Sequence, residues 1–300
     1  MPRLSTGVGL AAAVILTGCG ITAPAAEPAT RPVEPTSEVG SGHHGDAPLD
    51  RAVPVIVERV IDGDSLELTI DGEAVEARLL GINAPELRSP TGSETCPGRS
   101  ARGELEAVIA RASVVSFVPD EVDRFDRRLG VVVLDGKPAT ETMVESGWAL
   151  ALWSGEDELL SRLMIEAAAA NRGMWGTACG RPASTDLAIT EVLADAPGDD
   201  RENLAEEWVT LTNEGVSSVD LDGWVIRDDT TSNRFTITDL DLGPGASIRF
   251  RSGQGRSGRG ASGDGDYHLG ESSPVWSNRG ETVLLVDPDG VIAAHAFVLP

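Results

Sequence analysis

A glycine-containing turn flanked by acids, Asp62-Gly63-Asp64, is a place where two carboxylates can converge on a hard cation. Arg78, Asn83 and Glu86 follow within one segment, and Arg127 precedes a later apolar run. Oxygen donors of this kind suit an oxygen-preferring cation. Guanidiniums suit a phosphate or carboxylate, and a carboxylate can take a proton from water. No histidine lies between His44 and His268, which removes His-based phosphodiesterase chemistry from this stretch. Taken singly, each residue has a plainer reading: paired acids in a turn are commonly solvated, and a lone Arg78 is commonly an exposed charge. Arg124 and Arg128 beside Arg127 read as exposed charges.

The elements that must position these groups follow from periodicity. Residues 53–61 are β-branched and read as a strand, 65–70 as a second, and the alternation of Val75, Ala77 and Leu79 after the Asp71-Gly72 hairpin signal as a third. Ala101, Leu105, Val108 and Ile109 have helical spacing. Residues 113–119 and 129–134 are two further strands. A short helix ends near Gly147, and a last helix puts Leu160, Leu163, Met164, Ala167 and Ala168 on one face before Gly173. Three strands, a helix, two strands and then helices predict an α+β, OB-fold-like five-stranded barrel with helices packed outside.

Four blocks in order carry a resemblance: Ile61-Asp62-Gly63-Asp64-Ser65, Arg78-Leu79-Leu80-Gly81-Ile82-Asn83-Ala84-Pro85-Glu86, Asp123-Arg124-Phe125-Asp126-Arg127-Arg128-Leu129 and Gly147-Trp148-Ala149. Together they resemble the thermonuclease (staphylococcal-nuclease) pattern over about residues 53–178. The resemblance implies that Asp64, the side chain at position 83 and the Ala84 carbonyl bind calcium (Ca2+), with Asp62 helping through water. It implies that Glu86 orients or deprotonates the attacking water. Arg78 and Arg127 would bind the scissile phosphate, and cleavage would leave a 3′-phosphate on DNA or RNA. A phosphodiester transition state needs positive charge where negative charge develops, which a cation and two guanidiniums supply. Two departures stand out. The family usually has Asp where Asn83 stands, and Phe125 replaces the Tyr that commonly precedes the second arginine, keeping a ring without its hydroxyl. Trp153 falls near a family position that stacks on a base; simple packing accounts for it as well.

The N-terminus reads as an export signal. Arg3 gives a positive start, and residues 7–16 are apolar but too short to span a bilayer. Leu16-Thr17-Gly18-Cys19 resembles a bacterial lipobox, in which Cys19 would be lipidated and left as the new N-terminus. The expectation is an extracytoplasmic protein anchored to the cell membrane by lipid. Residues 1–19 are then the leader, and 20–52, rich in Pro, Ala, Glu, Thr and Ser, a flexible tether. His43 and His44 lie in that tether and read as solvated. Of the three cysteines, Cys96 and Cys179 are left as a pair in an oxidising compartment, so a disulfide is expected.

The nuclease-like domain is set at 53–181 and a second domain at 184–300. Short apolar runs near 186–192, 208–211, 224–226, 235–237, 247–250, 282–286 and 291–297, separated by turn residues, predict an all-β sandwich. Glu207-Trp208-Val209-Thr210-Leu211-Thr212-Asn213, Val219-Asp220-Leu221-Asp222-Gly223-Trp224, Leu242-Gly243-Pro244-Gly245 and Trp276-Ser277-Asn278-Arg279-Gly280-Glu281 resemble the lamin-tail domain, an immunoglobulin-like sandwich. Trp208, Trp224 and Trp276 are expected in its core and turns. His268 and His295 read as isolated, and 252–266, with Arg256 and Arg259, as a mobile loop able to touch nucleic acid.

The formal charge is −24, from 24 Lys+Arg against 48 Asp+Glu, and Lys137 is the only lysine. Such acidity argues against a passive nucleic-acid binder, which usually carries a basic footprint. It leaves room for an enzyme that recruits a cation and places a few arginines. The expected partners are a nucleic-acid substrate and a membrane, with no stable protein partner. The rival is a nuclease-like barrel that has lost activity and serves as a nucleic-acid or envelope binding scaffold. Such a relative should lack one or more of Arg78, Glu86 and Arg127, and all three are present.

Overall fold

The computed structural model describes residues 49–89, 92–153, 158–196, 198–199, 201–230, 232–255 and 265–299. Cys19, the leader and nearly all of the tether, along with Arg256 and Arg259, lie outside the described residues.

The first half contains β1 (Val53–Pro54), β2 (Ile56–Val60), β3 (Ser65–Ile70), β4 (Glu73–Leu79), β5 (Ile82–Asn83), α1 (Cys96–Arg111), β6 (Val115–Val122), β7 (Arg128–Leu134), β8 (Lys137–Pro138), α2 (Ala139–Glu145), β9 (Leu150–Ala151) and α3 (Glu158–Ala169). Its main sheet runs β1-β6-β7-β4-β3-β2, with β8 added on β7. The sheet is OB-like, but its hydrogen-bonded path does not close, and it has seven strands where five were expected. Two things explain the difference: the short β8 on β7 was not expected, and the stretch expected as one strand over 53–61 divides. Up to Val55, whose N–H donates to the Val115 carbonyl, the chain follows β6; from Ile56 it pairs with β3. One segment therefore changes partners, and only its covalent continuity joins the two ends of the sheet. Leu66, Leu68, Ala77, Leu79 and Phe117 fill the interior with Leu105 of α1 and Met143 of α2. The expected disulfide is present: Cys96 is bonded to Cys179, tying the first residue of α1 to the chain beyond α3.

The second half is a β-sandwich. It contains β10 (Leu187–Leu193), β11 (Trp208–Asn213), β12 (Val219–Asp220), β13 (Val225–Arg227), β14 (Arg234–Thr236), β15 (Asp241–Leu242), β16 (Ser247–Arg251), β17 (Gly265–His268), β18 (Glu281–Val286) and β19 (Ile292–Val298). Sheets β10-β11-β16-β17 and β14-β13-β18-β19 face each other over Leu211, Ile226, Phe250, Val283 and Leu285. Trp224 and Trp276 are in this core as expected. Trp208 is only half-buried, with the Arg251 guanidinium 4.9 Å from its ring. The loop expected over 252–266 is ordered at both described ends. Ser252 is buried and donates its Oγ to Glu207 at 2.8 Å, and Gly265 opens β17. His268 pairs with the Gly253 carbonyl at 3.1 Å.

The two halves share a core. All six residues of β18 are buried because both of its faces are covered. Val283 and Leu285 point into the sandwich, while Leu284 and Val286, with Val225, join the apolar core of the first half. Phe297 and His295 meet Trp175 at 5.8 and 5.0 Å between ring centroids. The second domain is thus seated on the first through buried apolar surface, which is what holds two domains in one arrangement.

Candidate active site

Gly63 lets the acidic turn reach its place. A Cβ there would lie 2.5 Å from the Cβ of Ala84 and 2.7 Å from that of Ala101, so a side chain would push the turn off both. With the turn in place, buried Asp64 accepts the Ala84 N–H at 2.6 Å through one oxygen and the Ser65 hydroxyl at 3.1 Å through the other. Asp62 accepts the Asp64 N–H at 3.0 Å. Arg78 forms an ion pair with Asp64 and reaches the Ile82 carbonyl at 3.3 Å and Asn83 Oδ1 at 3.4 Å. Burial lowers the Arg78 pKa to about 10, while Asp62 works to raise it, so it is charged at neutral pH. Burial likewise raises the Asp62 pKa, against the pull of Arg78 and Arg127.

Glu86 is exposed, and its backbone is held from two sides. The Thr95 hydroxyl donates to the Glu86 carbonyl at 2.7 Å, and the same oxygen caps α1 by accepting the Gly98 N–H at 3.1 Å. A Cβ on Gly98 would stand 2.4 Å from the Glu86 carbonyl oxygen, so the first turn of α1 is pressed directly against this loop. The backbone that carries this carboxylate is therefore held by a helix N-terminus as well as by its own neighbours in sequence.

Arg127 sits in the β6–β7 loop. Asp123 accepts its backbone N–H at 3.0 Å and its Nε at 2.8 Å, while Asp126 takes a left-handed φ of 65° to turn the chain. Phe125 is 63% exposed at the tip, with the guanidiniums of Arg124 and Arg127 at 4.8 and 5.5 Å from its ring. Arg127, Glu86, Asp62 and Asp123 all act on the charge of Arg78. Residues up to 65 positions apart in sequence therefore share one electrostatic neighbourhood.

The second domain touches this neighbourhood. The Asn83 amide donates its Nδ2 to the Asp229 carbonyl at 2.7 Å, which leaves Oδ1 turned toward Arg78. Trp153 is half-buried and gives its indole N–H to Thr282 at 3.1 Å, so its ring is engaged at the domain junction. Burial, reinforced by Asp228, raises the Asp229 pKa to about 7, opposed by the backbone N–H groups of Trp153 and Thr282.

Among the described residues no three His, Cys, Asp or Glu side chains group as a metal cluster. The positions expected to hold a cation bring two carboxylates (Asp62, Asp64), the amide oxygen of Asn83 and the carbonyl of Ala84. All are hard oxygens of the kind calcium takes. The Arg78 guanidinium already lies on Asp64 and Asn83. Asp64 and Asn83 thus already draw one positive charge, and the donor types are those that a hard cation takes.

Four residues that sequence reasoning missed matter here. Asp123 orients Arg127; its place four residues earlier was a usable signal. Asp229 fixes the Asn83 amide, and Arg227 of β13 and Arg234 of β14 line a cleft with Glu86; nothing local announced any of the three.

Comparison with known proteins places these features. A family model described as "Staphylococcal nuclease homologue" matches residues 76–177, and one described as "Lamin Tail Domain" matches residues 181–298. A protein of Escherichia coli O157:H7 named "Uncharacterized endonuclease" is 33% identical over 127 residues, covering 41% of this chain and 76% of that relative. "Endonuclease YncB" of Bacillus subtilis (strain 168) is 30% identical over 101 residues, 33% of this chain and 48% of its own length. "SPbeta prophage-derived endonuclease YokF" of the same organism is 31% identical over 99 residues, 32% of this chain and 33% of its own. With the acidic turn, both arginines and Glu86 gathered at one site, the chain belongs to the staphylococcal nuclease homologues and carries a lamin tail domain after its nuclease domain.

Proposed function

We propose that this chain is an exported, membrane-anchored nuclease that uses calcium to hydrolyse phosphodiester bonds of DNA or RNA, leaving 3′-phosphate ends. Family membership carries the phosphodiester hydrolase class. The observation that supports the finer reading is the convergence of Asp62, Glu86 and Arg127 on Arg78, beside buried Asp64 and Asn83. Asp64, Asn83 and the Ala84 carbonyl would hold the calcium ion, with Asp62 acting through water. When bound, the ion supplies positive charge to the phosphate oxygens.

The protein's own groups do the rest. Glu86, exposed and clamped through its backbone, takes a proton from water as the water oxygen bonds to phosphorus and the 5′ oxygen departs. Arg127 keeps its guanidinium oriented through Asp123 and presents it to the phosphate, with Arg78 beside it. Both stabilise charge that grows only in the transition state, which is where binding accelerates a reaction. The membrane anchor is supported by the leader and the Leu16–Cys19 motif; among the described residues no helix is long and apolar enough to cross a membrane.

The test is digestion of plasmid and RNA by the full chain with calcium, with chelator, and with Glu86→Gln or Arg127→Ala. Cleavage that needs calcium and falls by several orders of magnitude in both variants is expected; wild-type rates in either would remove the mechanism. For the anchor, Cys19→Ser should leave the membrane fraction or accumulate as precursor. A wild-type chain already free and unlipidated would refute that part.

A further inference from the structure

Between the domains lies a shallow, open cleft, with Glu86, Arg88 and Thr95 on the nuclease side and Arg227, Arg234 and Ile292 on the lamin-tail side. Its charge is unlike that of the chain around it. The protein carries −24, yet three guanidiniums and one carboxylate line this cleft.

Two of those guanidiniums are held in an arrangement that stability alone does not favour. Arg227 and Arg234 are directly opposite in the β13–β14 ladder, so they stand on the same face of the sheet. Like charges directly opposite across a ladder are destabilising. Arg227 is buried, and its pKa is lowered by that burial first and by Arg234 next. Its Nε and Nη2 bind the backbone carbonyls of Asp228 and Thr230, each at 2.9 Å. Those carbonyls fix the guanidinium without cancelling its charge. Arg234 is half-buried, and among the described residues neither arginine is in an ion pair closer than 4.0 Å. Asp228, Glu86 and Asp229 act on Arg227 with the opposite sign, but none of them pairs with it directly.

We propose that Arg227 and Arg234 bind a phosphate of the substrate strand next to the one being cleaved, so that the lamin tail domain forms part of the nuclease's nucleic-acid site. An anion between the two guanidiniums relieves their repulsion. The shared rim at Glu86 makes the cleft continuous with the reacting phosphodiester. The lining Leu284 and Ile292 offer an apolar wall for sugar or base. This rests on the nuclease reading above and extends it to the second domain.

The test is equilibrium binding of the full chain, under chelator, to a labelled single strand of about 20 nucleotides and to a dinucleotide. Arg234→Ala should raise Kd for the long strand about tenfold and flatten its salt dependence by about one unit of slope. The loss should be several-fold smaller for the dinucleotide. Arg162→Ala, which removes an exposed charge from α3, is the control and should change neither. Melting of Arg234→Ala should be unchanged or higher, because a repulsion is removed; a purely structural arginine would lower it. Unchanged Kd, or an equal loss in Arg162→Ala, overturns the proposal. If wild type binds with this Arg234 dependence yet cleaves nothing, the nuclease reading fails and the subsite stands. If it cleaves and Arg234→Ala binds normally, the reverse holds.

Discussion

Asn83→Asp separates the cation reading from the domain-docking geometry, because the two respond in opposite directions. The carboxamide does two things: Nδ2 donates to the Asp229 carbonyl at 2.7 Å, and Oδ1 faces Arg78 beside Asp64. A carboxylate keeps the oxygen for a cation and adds a unit of negative charge. Two unit charges 4 Å apart exchange about 4 kcal/mol at an effective dielectric of 20. The amide oxygen already supplies part of that through its dipole, so the gain in calcium binding is roughly 1–3 kcal/mol, or about 5- to 150-fold in Kd. The same change leaves an oxygen facing the Asp229 carbonyl in a buried junction, at a cost of about 1–3 kcal/mol from the lost donor. In chelator the variant should therefore melt lower, by about 2–4 °C for each kcal/mol in a chain of this size. With calcium the deficit should shrink or vanish. Calorimetric titration with calcium and melting curves in chelator and in calcium give both numbers. Calcium affinity that is unchanged or weaker would show that position 83 is not a ligand. Unchanged melting in chelator would show that the contact with Asp229 contributes nothing to docking.

Gly98→Ala should lower both kcat and the melting temperature, since a Cβ 2.4 Å from the Glu86 carbonyl oxygen must shift the loop that carries the proposed base; unaltered turnover would mean that Glu86 is positioned some other way. Cys179→Ser should destabilise the nuclease domain by up to roughly 4–5 kcal/mol in the chain-entropy model, read by denaturant unfolding with and without reductant; superimposable curves would refute it. Glu281→Gln tests a buried carboxyl whose pKa burial has raised from 4.5 to about 9, with Ser277 opposing and Asp228, Asp229 and Glu207 adding to the rise. Between those two values the folded state keeps a proton that the unfolded chain releases, so wild-type stability falls as pH rises through that window. The variant should gain on wild type from pH 5 to pH 9, by an amount on the order of a few kcal/mol, and parallel melting profiles would refute the assignment.

Sequence by itself determined the local and the periodic. Alternation in 65–70 and around Val75 to Leu79 gave strands, because a strand with one buried face must repeat every two residues. Leu105 and Val108 marked α1, and the turn residues between short apolar runs marked a sandwich. The order of Asp64, Arg78, Asn83, Glu86 and Arg127 pointed to a candidate site through its resemblance to the thermonuclease pattern, because in a chain with 48 Asp+Glu no one of these residues marks a site alone. The cysteine pair was legible because, with Cys19 assigned to the lipobox, one pairing was left.

Tertiary structure decided what depends on distance through space. That one edge stretch divides at Val55 between β6 and β3 follows from where those strands lie, and neither partner is encoded near residue 55. Leu284 and Val286 alternate with Val283 and Leu285 in a run whose every residue is apolar. The sequence cannot show that one face of it meets a second domain, because a strand buried on both sides has no polar face to reveal the difference. For the same reason the Asn83 amide looked only like a weakened ligand. Its second partner, the Asp229 carbonyl, is 146 residues away, and a backbone carbonyl leaves no mark in a sequence.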